Sequence, residues 1–234
     1  MSEVLAITDP RYPPRLRERM GDEAPAKLSL LGNVGLLDRP KTALFGSARC
    51  LGSAILRAYD QAAHWRDTGR CVISGFHSPV EKECLRILLR GTSPVIVCPA
   101  RSLPKRIPPD WQTHLAENRM LILSIFPPQE THITTALAIR RNEFVAALAD
   151  EAWFAHVTDD GQIGRLIQRM RQWSHLTLKN QLMPLHPAAQ QMIRKVEELS
   201  GRPVHVAEDP DLKVMASILT ARGNAPAHFL RYRP

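Results

Sequence analysis

Short apolar runs alternate along this chain with longer segments of helical spacing. The apolar runs fall at residues 42–45, 71–73, 94–98, 120–124 and 153–157, and each has the length of a β-strand. Between them, segments such as 53–65 and 143–149 read as helix, and Val80, Cys84 and Leu88 share one helical face. This alternation of strands and helices predicts an α/β fold with a doubly wound, mostly parallel sheet.

The loops after the strands are the predicted location of function. In doubly wound sheets, ligands bind at the carboxyl ends of the strands, where helix N-termini point their amide groups outward. Here those loops are residues 46–49, 74–78, 99–106 and 158–165. The sequence has neither GxGxxG nor GxxxxGK[ST], so it carries no dinucleotide fingerprint and no Walker loop.

The character of the chain changes at both ends of this alternating stretch. We therefore divide it into an N-terminal lead-in (1–40), an α/β core (41–174) and a small C-terminal α+β extension of unknown type (175–234). Within the extension, residues 185–199 read as an amphipathic helix and residues 204–207 as a strand.

Charge narrows the choice of partners. Lys and Arg number 31 against 23 Asp and Glu, which gives a net charge of +8 and favours nucleic acid or a small phosphorylated ligand. The four cysteines form no CxxC pair and fit buried free thiols, so we expect no metal and no cofactor. A leader and an apolar run long enough to span a membrane are both missing from the sequence, which predicts a cytoplasmic protein without a membrane partner.

Several short motifs, in a fixed order, resemble one bacterial family. They are YPPRL from residue 12, Gly46-Ser47-Ala48-Arg49 after the first core strand, Val72-Ile73-Ser74-Gly75 at the end of the next, and Arg141-Asn142 directly before EFVAAL. Together they resemble the DNA-processing family known as DprA or Smf, whose Rossmann-like core belongs to the SLOG group. The likeness covers about residues 12–170. It implies a Rossmann-like version of the predicted fold.

The chain also departs from the family pattern on the predicted ligand face. The family's GID and AH signatures are replaced by Pro79-Val80-Glu81 and by Cys84-Leu85, so that only the acidic side chain of Glu81 is kept. The third residue of the family's RNR motif is Glu143, and the SGSLxT loop is replaced by DGQIGR at 160–165.

By resemblance, the protein is expected to bind single-stranded DNA without catalysis, to form homodimers and to act with a recombinase in DNA processing, recombination or defence. A groove that follows phosphates needs arginines around loops of small residues, and Arg49, Arg140 and Arg141 are the candidates for phosphate contact, with Arg141 favoured over Arg140. Short hydrogen bonds or close backbone approach are expected from Ser47, Ser74, Gly75, Asn142 and Gly161. The predicted set is completed by Gly46, Gln162, Gly164 and Arg165.

Other interpretations stay open at this stage. Arg140 and Arg141 fit equally with ion pairs to Glu143 or Asp150, and the run of arginines from Arg165 to residue 171 fits the charged face of an exposed helix. A SLOG-type nucleotide sensor or nucleotide-processing enzyme is a second functional class, although the loop at 158–165 lacks the glutamate that hydrolysis would need. An adaptor that uses residues 175–234 is a third.

Overall fold

The computed structural model describes residues 2–46, 52–155, 162–170, 173 and 177–179. The strands of this part of the chain are β1 (Ser2–Ala6), β2 (Lys27–Gly32), β3 (Lys41–Phe45), β4 (Cys71–Ser74), β5 (Val95–Val97), β6 (Met120–Ser124), β7 (Glu151–Phe154) and β8 (Thr177–Lys179). They form one eight-stranded sheet in the order β1-β2-β6-β5-β4-β3-β7-β8. Neighbouring strands are parallel from β6 through to β8, and only β2 runs against the others.

Helices cover both faces of this sheet. They are α1 (Pro14–Met20), α2 (Gly52–Thr68), α3 (Pro79–Leu89), α4 (Pro109–Ala116), α5 (Thr135–Leu148) and α6 (Gln162–Met170), with short 3-10 turns at Gly21–Glu23 and Val34–Leu37. Side chains of α1, α5 and α6 pack in one core, and side chains of α2, α3 and α4 pack in a second core on the other face. The arrangement confirms the predicted Rossmann-like α/β fold.

The central strands β4, β5 and β6 are mostly apolar because both of their faces are buried. Along β6, Leu121 and Leu123 enter the core beneath α5, whereas Met120 and Ile122 enter the core beneath α2 and α3. The same alternation places Ile73 of β4 in the first core and Val72 in the second. Such strands give continuous apolar runs, which is why they were readable from the sequence.

The elements differ from the sequence prediction in three places. Helix α5 starts at Thr135, well before residue 143, and α4 was not predicted. Residues 1–40 supply two strands of the same sheet, since β2 pairs with β6 in a register that joins Leu30 to Leu123. The helix at 185–199 and the strand at 204–207 lie outside the described residues, as does the rest of the proposed extension beyond β8.

Arginines of α1 hold the lead-in against the core. Arg19 donates to the carbonyl oxygens of Ala147 and Ala149 at 3.0 and 2.6 Å, at the end of α5. Arg15 forms an ion pair with Asp150 at 2.6 Å. Cations at a helix C-terminus satisfy its last carbonyls and oppose its dipole. The lead-in is thus joined to the core by the sheet and by this polar contact.

Three of the four cysteines lie in the described part of the chain. Cys71, Cys84 and Cys98 are buried, as expected, and Cys50 lies outside the described residues. Among the described helices, none is long and apolar enough to cross a membrane.

Candidate functional site

The strand order reverses between β3 and β7, and in doubly wound sheets ligands bind at the carboxyl ends of the strands at such a point. Phe45 pairs with Phe154 in the register, and their rings stack with centroids 5.3 Å apart. Helices resume at Gly52 and at Gln162, so the N-termini of α2 and α6 follow the two strands. The intervening loops, which include the predicted residues Ser47, Arg49 and Gly161, lie outside the described residues.

Glu81 connects the loop after β3 with the loop after β4. The turn Ser78-Pro79 starts α3 with a capping box, in which the Ser78 hydroxyl accepts from the backbone N–H of Glu81 at 3.2 Å. The carboxylate of Glu81 in turn accepts from the N–H groups of His77 at 2.8 Å and Ser78 at 3.2 Å. Its other oxygen accepts from the N–H of Gly46 at 2.9 Å. A buried carboxylate therefore ties the exit of β3 to the start of α3.

Arg141 fills the space behind Gly75. Its side chain leaves α5 and donates to the Cys98 carbonyl oxygen at 2.9 Å and to the Asn142 side chain at 2.8 Å. A Cβ atom built on Gly75 would lie only 1.3 Å from Nη1 of Arg141. Burial lowers the pKa of the Arg141 guanidinium, and the charge of Glu81 opposes that shift. The predicted residues Gly75, Arg141 and Asn142 thus meet at one point, between the ends of β4 and β5.

The backbone between Ser74 and Ser78 makes an unusual turn. Phe76 has φ of 46°, in the left-handed region that bulky residues rarely adopt, and its ring is buried in the core beneath α3. The hydroxyl of Ser74, itself buried, accepts from the N–H of Phe76 at 3.2 Å. Backbone strain of this kind persists where the surroundings fix it, and it concentrates at functional loops.

Arg140 and Arg141 differ in burial. Arg140 is exposed and has no ion-pair partner among the described residues, whereas Arg141 is only 4% exposed. The alternative pairing with Glu143 or Asp150 is not what the structure shows. Glu143 binds Arg169 at 2.9 Å, and Asp150 binds Arg15 at 2.6 Å. Arg141, which the sequence analysis favoured for phosphate contact, is thus the buried member of the pair.

Helix α6 carries the remaining predicted residues. Arg165 is exposed and Gly164 is buried, and the side chain of Gln162 lies outside the described residues. Arg169 forms ion pairs with Glu143 and with Glu23. The charged-face interpretation therefore fits Arg165 and Arg169.

Further exposed cations surround the same end of the sheet, and the sequence analysis did not single them out as individual residues. They follow β4 and β5 in the chain and have no ion-pair partner within the described ranges: Lys82, Arg101, Lys105 and Arg106. Exposed carboxylates nearby in the chain are Asp110 and Glu130, and the carboxylate of Glu83 is held by Arg86 at 2.7 Å. The loop at 99–106 is one of the loops in which the sequence predicts function. Its cations Arg101, Lys105 and Arg106 are the sequence feature that indicates this group.

Comparisons with known proteins agree with this fold. The chain is similar to the DNA processing protein A of Streptococcus pneumoniae, with 19% identity, a TM-score of 0.59, and coverage of 82% of this chain and 69% of that one. It is also similar to the Helicobacter pylori protein, described for its single-stranded DNA binding mode, with 19% identity, a TM-score of 0.58, and coverage of 94% and 96%. No curated protein matches. The family model for DNA recombination-mediator protein A matches residues 3–161. Because this match spans more than half of the 234 residues, the chain belongs to the DNA recombination-mediator protein A family.

Proposed function

We propose that this protein binds single-stranded DNA, without catalysis, along the carboxyl ends of the parallel strands. The observation that supports the proposal is a group of exposed cations, free of ion-pair partners among the described residues, in the segments that follow β4, β5 and β6. We call this group the cationic rim; it consists of Lys82, Arg101, Lys105, Arg106 and Arg140. Unpaired cations of this kind are available to neutralise phosphates.

The balance of charge at the rim favours a polyanion. The carboxylates of Asp110 and Glu130 are exposed in the same segments, but Glu83 is neutralised by Arg86 and Glu81 is buried beneath the loops. Cations therefore exceed free carboxylates among the described residues of the rim. A flexible single strand follows such a surface through its phosphates, and its affinity depends steeply on salt.

The residues predicted from the sequence divide into two roles in this proposal. Arg140 contacts phosphate directly, because it is exposed in the second turn of α5. Arg141, Ser74 and Asn142 order the loops from beneath, since their polar atoms already bond within the protein. We assign to the path of the DNA between the carboxyl ends of β3 and β7 the residues Ser47, Arg49, Gly161 and Arg165. This assignment stays a prediction.

Family membership supports the biological setting of the proposal. The Helicobacter pylori protein of the same fold is described as binding single-stranded DNA. By analogy, we propose that DNA held at the rim is passed to a recombinase during recombination in a bacterial cytoplasm. We also propose a homodimer, which lengthens the surface available to one strand.

A salt titration tests the proposal. Binding of a fluorescent oligothymidylate is followed by anisotropy for the wild-type protein and for a triple variant with Lys105→Ala, Arg106→Ala and Arg140→Ala. Each lost phosphate contact lowers the slope of log affinity against log salt by about 0.7, so the triple variant should lose about 2 from the slope. Its affinity at low salt should fall at least about tenfold.

The control is Arg90→Ala. Arg90 is also exposed and unpaired in the described structure, but it lies at the opposite end of α3 from the rim. This variant should keep the wild-type affinity and slope. Equal effects of the control and the triple variant would overturn the assignment of the rim. Competition by a mononucleotide as strong as that by the oligonucleotide would favour the nucleotide-sensor alternative instead.

A further inference from the structure

Glu81 is an acidic side chain in a place where a DNA-binding protein has an electrostatic reason to avoid one. It is 6% exposed, contacts the segments that follow β3 and β4, and directly precedes Lys82 of the cationic rim. A buried carboxylate is costly unless hydrogen bonds compensate it, and a negative charge close to bound phosphates weakens their binding. Its presence therefore calls for a specific benefit.

Helix capping accounts for only part of that benefit. A capping box needs the side chain of Glu81 to accept from the backbone of Ser78, which it does at 3.2 Å. The carboxylate also accepts from His77 at 2.8 Å and, through its other oxygen, from Gly46 at 2.9 Å. Gly46 is distant in sequence and opens the loop after a different strand. The contact with Gly46 is thus additional to what the helix requires.

The packing around Gly46 makes this contact restrictive. A Cβ atom at Gly46 would lie 3.3 Å from Oγ of Ser78 and 3.4 Å from Cγ of Glu81, so the backbone itself rests against the start of α3. Both oxygens of Glu81 have N–H partners, which leaves the group poorly suited to proton transfer and well suited to fixing geometry.

We propose that Glu81 is a positioning residue that fixes Gly46, where the chain leaves β3, against His77-Ser78, so that these two described segments face the DNA as one preformed surface. The inference rests on the proposed DNA binding. In this role Glu81 helps binding through geometry, although its charge opposes binding. The two effects have opposite signs, and a variant can separate them.

The test compares Glu81→Gln with Glu83→Gln in the full chain. Both remove one negative charge from the same helix, but Glu83 contacts Arg86 and not the loops. In glutamine an NH2 group replaces one of the two carboxylate oxygens and would face either the N–H of Gly46 or the N–H groups of His77 and Ser78, so the side chain can keep only one of these two contacts. We expect Glu83→Gln to bind oligothymidylate as well as the wild type or up to about twofold better, since a negative charge is lost near the rim. We expect Glu81→Gln to bind at least about fivefold more weakly, at a temperature where thermal unfolding shows it fully folded.

A readout free of DNA accompanies the binding assay. In amide hydrogen exchange, the N–H of Gly46 should exchange at least about tenfold faster in Glu81→Gln than in the wild type or in Glu83→Gln. If Glu81→Gln fails to fold, Glu81→Asp takes its place, because it keeps the charge and shortens the reach to Gly46. Its affinity should also fall.

The outcomes separate this inference from the proposed function. If the wild-type protein binds no oligonucleotide, the proposed function fails, and the role of Glu81 in DNA binding fails with it. If the wild type binds and Glu81→Gln matches Glu83→Gln in affinity, the positioning role alone is overturned. Unchanged exchange at Gly46 would also overturn it.

Discussion

A single methyl group added at Gly75 would occupy the space of the Arg141 guanidinium. The Cβ of an alanine there would lie 1.3 Å from Nη1, 1.8 Å from Cζ and 2.4 Å from Nη2 of Arg141. Gly75 does not have a positive φ, so its backbone conformation is open to alanine. The Gly75→Ala variant is therefore disfavoured because of Arg141 and not because of its own torsion angles.

The cost follows from what the guanidinium would lose. Displacing it breaks the 2.9 Å bond to the Cys98 carbonyl and moves a buried charge from its only described carbonyl partner. A hydrogen bond to a charged group contributes about 1.5–3 kcal/mol, and overpacking of a filled site costs about 1–3 kcal/mol. We expect Gly75→Ala to lower the free energy of unfolding by about 3–5 kcal/mol, a large share of the roughly 5–15 kcal/mol that stabilises a typical domain.

Denaturant unfolding of a double-mutant cycle tests this reasoning. In an Arg141→Ala background, the methyl group at Gly75 meets space that the guanidinium has left, and the substitution should cost less than about 1 kcal/mol. The coupling energy between the two sites should then be at least about 2 kcal/mol. Additive effects, or a Gly75→Ala protein as stable as the wild type, would refute the account of this site.

Two further predictions concern titratable groups that are not part of the rim. Burial raises the pKa of Asp150, but the backbone N–H of Lys41 and the side chain of Arg15 outweigh it, and the pKa lies below its usual value. A carboxyl group with a lowered pKa contributes stability above about pH 4 and loses that contribution as the pH falls further. In a plot of unfolding free energy against pH, Asp150→Asn should therefore show a flatter acid limb than the wild type. An unchanged acid limb would contradict this prediction. Burial raises the pKa of Cys71 to about 11 and that of Cys98 to about 12. Neither thiol should therefore react with iodoacetamide at about pH 8 until the protein unfolds. Peptide mass mapping after alkylation measures this, and labelling of either cysteine in the folded protein would contradict the prediction.

The core of the sheet was predictable because its strands are buried on both faces. β5 and β6 have uniformly buried residues, and they appear in the sequence as uninterrupted apolar runs. β1 and β2 are different, since β2 alternates buried leucines with partly exposed residues and β1 buries only Leu5. Short strands of this kind give a weak pattern. Their place in the sheet depends on the antiparallel pairing of β2 with β6 and of β1 with β2, which no local sequence pattern predicts.

The burial of Arg141 follows from the spacing of apolar residues along α5. Arg141 precedes Phe144, Val145 and Leu148 by three, four and seven positions, which places it on the buried face of α5. The early start of α5 was harder to see because its first turns are partly exposed, with Ile139 at 39%. The Glu81 contact lies beyond sequence reasoning. The capping box of Ser78 and Glu81 is a local pattern, but the bond to Gly46 depends on how β3 and α3 pack.

The positions of the buried ionic groups and of the exposed cations are linked by helix geometry. On α3, buried Glu81 precedes exposed Lys82, and on α5, exposed Arg140 precedes buried Arg141. Neighbouring residues on a helix are about 100° apart, so an ionic side chain that reaches inward to hold a loop leaves its neighbour pointing toward solvent above that loop. Each internal contact thereby sets the rotation of its helix about its own axis and so the direction of the adjacent cation. If the proposed function holds, Lys82 and Arg140 of the rim therefore depend on Glu81 and Arg141 for their direction, and variants of these two buried residues should weaken DNA binding without removing any rim charge.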